Sequence, residues 1–153
     1  MTAYGVHAGL QKTTTAELQG LWRRIEELGF DWISVWDHFY AADMTGDADC
    51  LEAVAAHAAL ACATTRVRCG SLVYCAGYRH PAVLAKAITT IDHLSGGRVD
   101  VGLGAGWSEL EYRAYGIPFP SVASAWTCWR RQSRACAGCC TTTAPRSKAG
   151  TSR

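Results

Sequence analysis

Three short segments of the 153-residue chain carry side chains that could do chemistry, and each follows an apolar run. FDWISVWDH ends in Asp37 and His38. Imidazole titrates near neutral pH, so a carboxylate and an imidazole at a strand mouth suit proton transfer or a hydrogen bond to a cofactor. The pair equally suits a structural role capping a loop, and spacing leaves both readings open. RVRCGSLVYC carries Gly70, Ser71 and Leu72 and leads to Tyr78, Arg79 and His80. Arg79 could hold an anion, although an exposed arginine beside a helix start is the commoner arrangement. RVDVGLGAG leads to Gly104, Ala105, Gly106 and Trp107. Glycines here let a flat ring or a phosphate approach the backbone, or else form a tight turn. They do not make a dinucleotide fingerprint, because Trp107 stands where a glycine is required. His7, His57 and His93 stand singly on a strand or helices and carry no assignment.

Regular elements position these segments. A strand from Tyr4 to Leu10 precedes a helix whose Thr14 and Glu17 have capping-box spacing. Leu18, Leu21, Trp22, Ile25 and Leu28 form its apolar stripe, and Gly29 ends it. A second strand reaches His38, and a second helix is expected from Asp49, as cap, to Ala63. The third strand spans Arg66 to Cys75. The third helix opens at Pro81, closes at Gly96-Gly97 and has Val83, Leu84, Ala87, Ile88, Ile91 and Leu94 as its stripe. After the fourth strand, Ser108 and Glu111 repeat the capping-box spacing. Strand and helix alternating at roughly 30-residue intervals indicate an α/β fold with a parallel sheet, either a doubly wound sheet or part of a (β/α)₈ barrel. Ligands in such folds bind at the C-terminal ends of the strands, where all three segments lie.

Composition narrows the class. Hydrophobic residues make up 49% and charged residues 18%, a globular balance. No signal peptide and no membrane span is legible. Cys50, Cys62, Cys69 and Cys75 fall within apparent elements, as thiols do in a reducing compartment, so a cytoplasmic location is expected.

The segments GFDWISVWDHF, RVRCGSLVYC and YRHPAVLAKAITTIDHLSGGRVDVGLGAGWSELEYRAYGIPF resemble the luciferase-like monooxygenase family, in particular its deazaflavin-dependent oxidoreductase branch. The resemblance covers about residues 3–120. It implies the N-terminal half of a (β/α)₈ barrel, about four βα units, as a partial domain over residues 1–120. It further implies hydride transfer between a reduced cofactor and a small organic substrate, with a deazaflavin of the F-four-twenty type favoured over flavin mononucleotide. By this resemblance His38 is the catalytic proton-transfer residue, and Asp37 contacts the cofactor or orients His38. A cis peptide joining Ser71 and Leu72 backs the cofactor ring, and Gly104, Ala105, Gly106 and Trp107 lie near it. The family's phosphate-binding region comes from later strands that these residues do not include. No metal, nucleic acid or membrane partner is implied. The alternative is a noncatalytic half-barrel remnant that only associates with other chains, including itself, through exposed sheet edges.

Residues 121–153 read differently. They hold six basic residues and no acidic one, whereas residues 1–120 hold nine basic against thirteen acidic, so net charges of +6 and −4 share one chain. Two tryptophans and four cysteines also fall in this segment. The codon of Trp126 followed by that of Thr127 forces an aspartate when read one base earlier. With free third bases, the same shifted frame continues as an amphipathic helix and a polar loop. The segment is therefore expected to be an irregular, frameshifted tail on a truncated enzyme, and not a domain. A zinc site from Cys128, Cys136, Cys139 and Cys140 and a basic nucleic-acid arm are the weaker rivals.

Overall fold

The computed structural model describes residues 2–41 and 49–140, with the side chains of residues 139 and 140 left aside. Four strands form one parallel sheet in the order β1 (Gly5–His7), β2 (Trp32–Val35), β3 (Arg68–Cys75) and β4 (Val99–Gly104). Helices α1 (Thr15–Glu27), α2 (Ala53–Ala63) and α3 (Pro81–Ser95) make the crossovers, and α4 (Glu109–Ala114) and α5 (Val122–Cys140) follow β4. The sequential strand order is that of a barrel, not of a doubly wound sheet, whose order reverses at a switch point.

Local chemistry explains the helix ends. Thr14 caps α1: its hydroxyl accepts the Glu17 amide at 3.2 Å, and the Glu17 carboxylate accepts the Thr14 amide at 2.8 Å. Pro81 opens α3, and Gly96 closes it in the left-handed conformation. Helix α2 starts later than expected, with Glu52 in place of Asp49 as cap. Residues 49–51 are extended because they pair with residues 10–12: the Lys12 amide donates to the Asp49 carbonyl and the Leu51 amide to the Leu10 carbonyl.

The core lies between the sheet and α1–α3. Leu18, Trp22 and Ile25 meet Ile33, Val35 and Cys69, and Leu84, Ile88 and Ile91 complete the layer. Val83 and Leu94, expected on the packed stripe of α3, are exposed, and Ala85 is buried in their stead. On the opposite face the Trp32 indole spreads over both neighbouring strands. A Cβ added at Gly70 would sit 2.6 Å from its Nε1, and one at Gly5 would strike its six-membered ring.

The tail is not irregular through Cys140. Helix α5 packs on α3 and β4 through buried Cys136, and the Trp129 indole donates to the Leu103 carbonyl at 2.8 Å. Cys128 donates to the Ala76 carbonyl. Gln132 is fully buried, and neither atom of its amide has a partner among the described residues. Among the described residues no helix is long and apolar enough to cross a membrane, and no three metal-ligating side chains converge. The zinc alternative depends in part on Cys139 and Cys140, whose side chains lie outside the described set.

At the N-terminal ends of the strands two charged side chains fasten the loops. The Glu26 carboxylate accepts the amides of Thr65, Arg66 and Val67 at 2.6–3.1 Å. The Arg98 guanidinium donates to the carbonyls of Ala61, Thr64, Val67 and Ser95 and reaches Thr64 Oγ1 and Cys69 Sγ.

Candidate functional site

The strand mouths are organised by Glu111, a residue whose spacing suggested a helix cap. Ser108 begins α4, but its hydroxyl makes no capping bond. The Glu111 carboxylate instead reaches back across the sheet, accepting from His38 Nδ1 at 3.0 Å, the Phe39 and Tyr40 amides at 2.7 and 3.0 Å, and the Tyr78 hydroxyl at 2.7 Å. One carboxylate thereby joins the loops after β2 and β3 to α4. Burial opposes its ionisation, but the bonds from Tyr78, His38 and Tyr40 outweigh that and hold the carboxyl below the ordinary range. Burial and the hydrogen bond to Glu111 push the Tyr78 phenol up, so it stays a neutral donor.

Asp37 and His38 do not form the hydrogen-bonded pair that their adjacency suggested. Successive residues leaving a strand point to opposite sides. Asp37 is buried, and its carboxylate accepts from Arg79 at 2.6 and 2.9 Å and from the Cys75 amide at 2.9 Å. Arg79 is not the exposed arginine expected from its position. It also pairs with Glu52, the cap of α2, and lies 6.0 Å from the Tyr74 ring centroid. Burial works against its charge, but Asp37 and Glu52 more than compensate, and its pKa is raised. Asp37 and Arg79 therefore tie β2, β3 and α2 together, and Glu111 is the residue that orients His38.

With Nδ1 donating to Glu111, neutral His38 carries its lone pair on Nε2, which has no partner among the described residues. Its ring sits between Trp36 and Trp107, with centroids 5.9 and 5.6 Å away and both contacts edge-on. His7 continues the row, 5.7 Å from Trp36, with its Nδ1 2.7 Å from Ser34 Oγ. Burial lowers the His7 pKa, favouring a neutral ring.

The third strand is bulged where the sequence suggested, but the cis peptide is Leu72–Val73, one bond later than expected. Ser71 is buried, and its hydroxyl is engaged with the backbone of Gly102, so Ser71 faces β4 and not a ligand. Leu72 and Val73 are the exposed residues of the bulge, 51% and 36% accessible. A Cβ on Gly104 would come within 2.7 Å of Val73. Gly106 has φ +87°, and a side chain there would meet the Tyr112 hydroxyl at 2.5 Å and the Cys75 sulfur at 2.6 Å, so it is required by the turn. After it comes Trp107, 62% exposed. Of the residues expected at the site, His38, Leu72, Gly104, Ala105 and Trp107 line the open mouth or its rim, while Asp37, Ser71 and Gly106 are committed to support.

Known proteins resemble this chain in sequence and fold. The chain is 33% identical over 121 residues to an F420-dependent glucose-6-phosphate dehydrogenase of Beutenbergia cavernae, covering 78% of this chain and 35% of that protein. It is 38% identical over 98 residues to the enzyme of the same name from Amycolatopsis mediterranei, covering 63% and 29%. Among solved structures, an F420-dependent secondary alcohol dehydrogenase in complex with an F420-acetone adduct matches 89% of this chain and 41% of its own, at 26% identity and a TM-score of 0.75. The monooxygenase RslO1 from Streptomyces bottropensis shares the fold at 24% identity, covering 88% and 42%, with a TM-score of 0.72. The chain thus spans about a third of the length of these curated relatives. The profile described as luciferase-like monooxygenase matches residues 1–123, and with four parallel strands in barrel order the chain belongs to that family.

Proposed function

We propose that the strand mouth is the ring-binding half of a deazaflavin-dependent oxidoreductase site acting on a small organic substrate, with flavin mononucleotide the less favoured cofactor. The observation that carries this reading is His38, fixed through Nδ1 by Glu111 and presenting Nε2 between two tryptophans. The residues fit a flat ring: Leu72 and Val73 offer an apolar platform, Gly104 adds no Cβ beside it, and Trp107 supplies an exposed aromatic wall. When bound, such a cofactor supplies or accepts a hydride. His38 would hold or deliver the accompanying proton at Nε2, and Glu111 would keep that nitrogen the basic one. The names of the dehydrogenase relatives favour deazaflavin over flavin.

Titration of the chain with a deazaflavin of the F420 type and, separately, with flavin mononucleotide tests this through cofactor absorbance and tryptophan fluorescence. Deazaflavin should bind, and Trp107→Ala should weaken it about ten-fold, as expected for loss of about 1–2 kcal/mol of ring contact. No spectral change with either cofactor would sink the reading and favour a noncatalytic half-barrel.

The tail reading joins this proposal. A one-base frameshift between Pro120 and Trp126 accounts for the basic, acid-free composition, and a buried, unpartnered Gln132 is the mismatch such a sequence would produce. Resequencing the coding DNA past the codon of Gly116 decides it, since no coherent second frame should exist if the tail is genuine.

A further inference from the structure

The outer edge of β4 is only partly covered by side chains. The Arg98 and Gly104 carbonyls accept from β3, and Gly102 exchanges bonds with Ser71, so these residues face β3. The alternate residues Val99, Val101 and Leu103 therefore present their backbone groups outward. Side chains already meet three of these groups. Asp92 accepts the Val99 amide at 3.2 Å, Arg68 donates to the Val99 carbonyl at 3.2 Å, and Trp129 donates to the Leu103 carbonyl at 2.8 Å. The amide and carbonyl of Val101 and the amide of Leu103 stay open among the described residues. Beside them runs a groove of about 350 Å³ lined by Val101, Leu103, Trp129, Ser133, Cys136 and Ala137.

The geometry points to β1 of a second copy as the occupant. Tyr4, Val6 and Ala8 face β2, as the bonds from Asp31 to Tyr4 and from Ala8 to Ser34 show, so Gly5 and His7 present their backbone groups to the other edge. A two-fold axis along the barrel axis preserves strand direction. It sets β4 of each copy parallel to β1 of the other, and two sets of four strands close into the eight that a (β/α) barrel requires. The same operation brings α5 beside the partner's α1. Both helices expose large apolar side chains in the single chain, Val122 and Trp126 on α5, and Leu21 on α1 with Leu28 at its C-cap. Trp129 is then a competitor, because its indole occupies the carbonyl that an incoming strand's amide would need.

Sedimentation equilibrium of the full chain across a concentration series tests this with two substitutions of opposite sign. Val101→Pro removes an outward amide while leaving the β3–β4 ladder intact, and should weaken dimerisation about ten-fold or more, since each dimer contains two such edges. Trp129→Phe keeps the ring but frees the Leu103 carbonyl, and should tighten dimerisation several-fold. A wild-type chain that stays monomeric overturns the proposal. So does a dimer that Trp129→Phe fails to strengthen, a result readable even if Val101→Pro does not fold. Open-ended oligomers would overturn the two-fold closure. None of these outcomes depends on cofactor binding.

Discussion

The two ends of the sheet use the same device for different purposes. At the N-terminal end, Glu26 and Arg98 each gather several partners, nearly all backbone groups, and leave nothing over. At the C-terminal end, Glu111 and Arg79 gather loops as well, but Glu111 spends one of its bonds on an imidazole whose other nitrogen stays open. A saturated end stabilises. An end with one unspent, oriented group is where the proposed proton transfer by His38 would take place, in keeping with the usual division between the two ends of barrel strands.

The comparison can be broken most severely at Arg98. Arg98→Met leaves several inward carbonyls without donors and should cost about 4 kcal/mol in urea unfolding, enough to threaten folding. If the loss is under about 1 kcal/mol, the N-terminal end is not the stabilising one. Acid is next, and it acts between the two ends. His57 is fully buried against the Tyr74 hydroxyl, and burial lowers its pKa to about 4 from 6.5. The unfolded chain takes up this proton first as pH falls. Stability should therefore be intact above about pH 6.5 and decline by about 3 kcal/mol by pH 4. Glu26 and Glu111 are both held below the ordinary carboxyl range, so they take up protons later than free carboxylates as the pH falls. His57→Gln should flatten the decline; if it does not, the acid sensitivity belongs to one of the ends.

Glu111→Gln should cost about 2 kcal/mol, as loss of hydrogen bonds to a charged acceptor does. Nitrogen NMR of His38 should then show loss of the single Nδ1–H tautomer. Glu26→Gln should match the stability loss and leave the His38 spectrum unchanged, which sharpens the contrast between the ends. Gln132→Leu, remote from both, should stabilise by about 1 kcal/mol by replacing an unpaired buried amide. The smallest effect is expected for His38→Gln, with unfolding shifted by less than about 0.5 kcal/mol while any cofactor response disappears.

What could be read from the sequence was what neighbours in sequence decide. The Thr14–Glu17 box, Pro81, Gly96 and the alternation of apolar runs all act within a few residues, and each appears as expected. The second helix starts later than its cap chemistry suggests because residues 49–51 obey a pairing with residues 10–12. The site was half legible for the same reason. Asp37 and His38 stood out as a pair, but their true partners, Arg79 and Glu111, lie 42 and 73 residues away. Glu111 even carried a plausible local explanation, and nothing within one turn of helix revealed that its carboxylate was needed elsewhere. A signal was present in the clustering of Tyr78, Arg79 and Glu111 after successive strands, which in a parallel sheet must end at the same mouth.

The indole of Trp32, spread over Gly5 and Gly70, has a consequence for how this surface can change over generations. Alanine at either glycine collides with the ring, and a smaller residue at 32 uncovers two bare stretches of backbone. No single substitution at any of the three is neutral. The positions should therefore drift as a triplet, and a relative with a side chain at one glycine should also have lost the tryptophan.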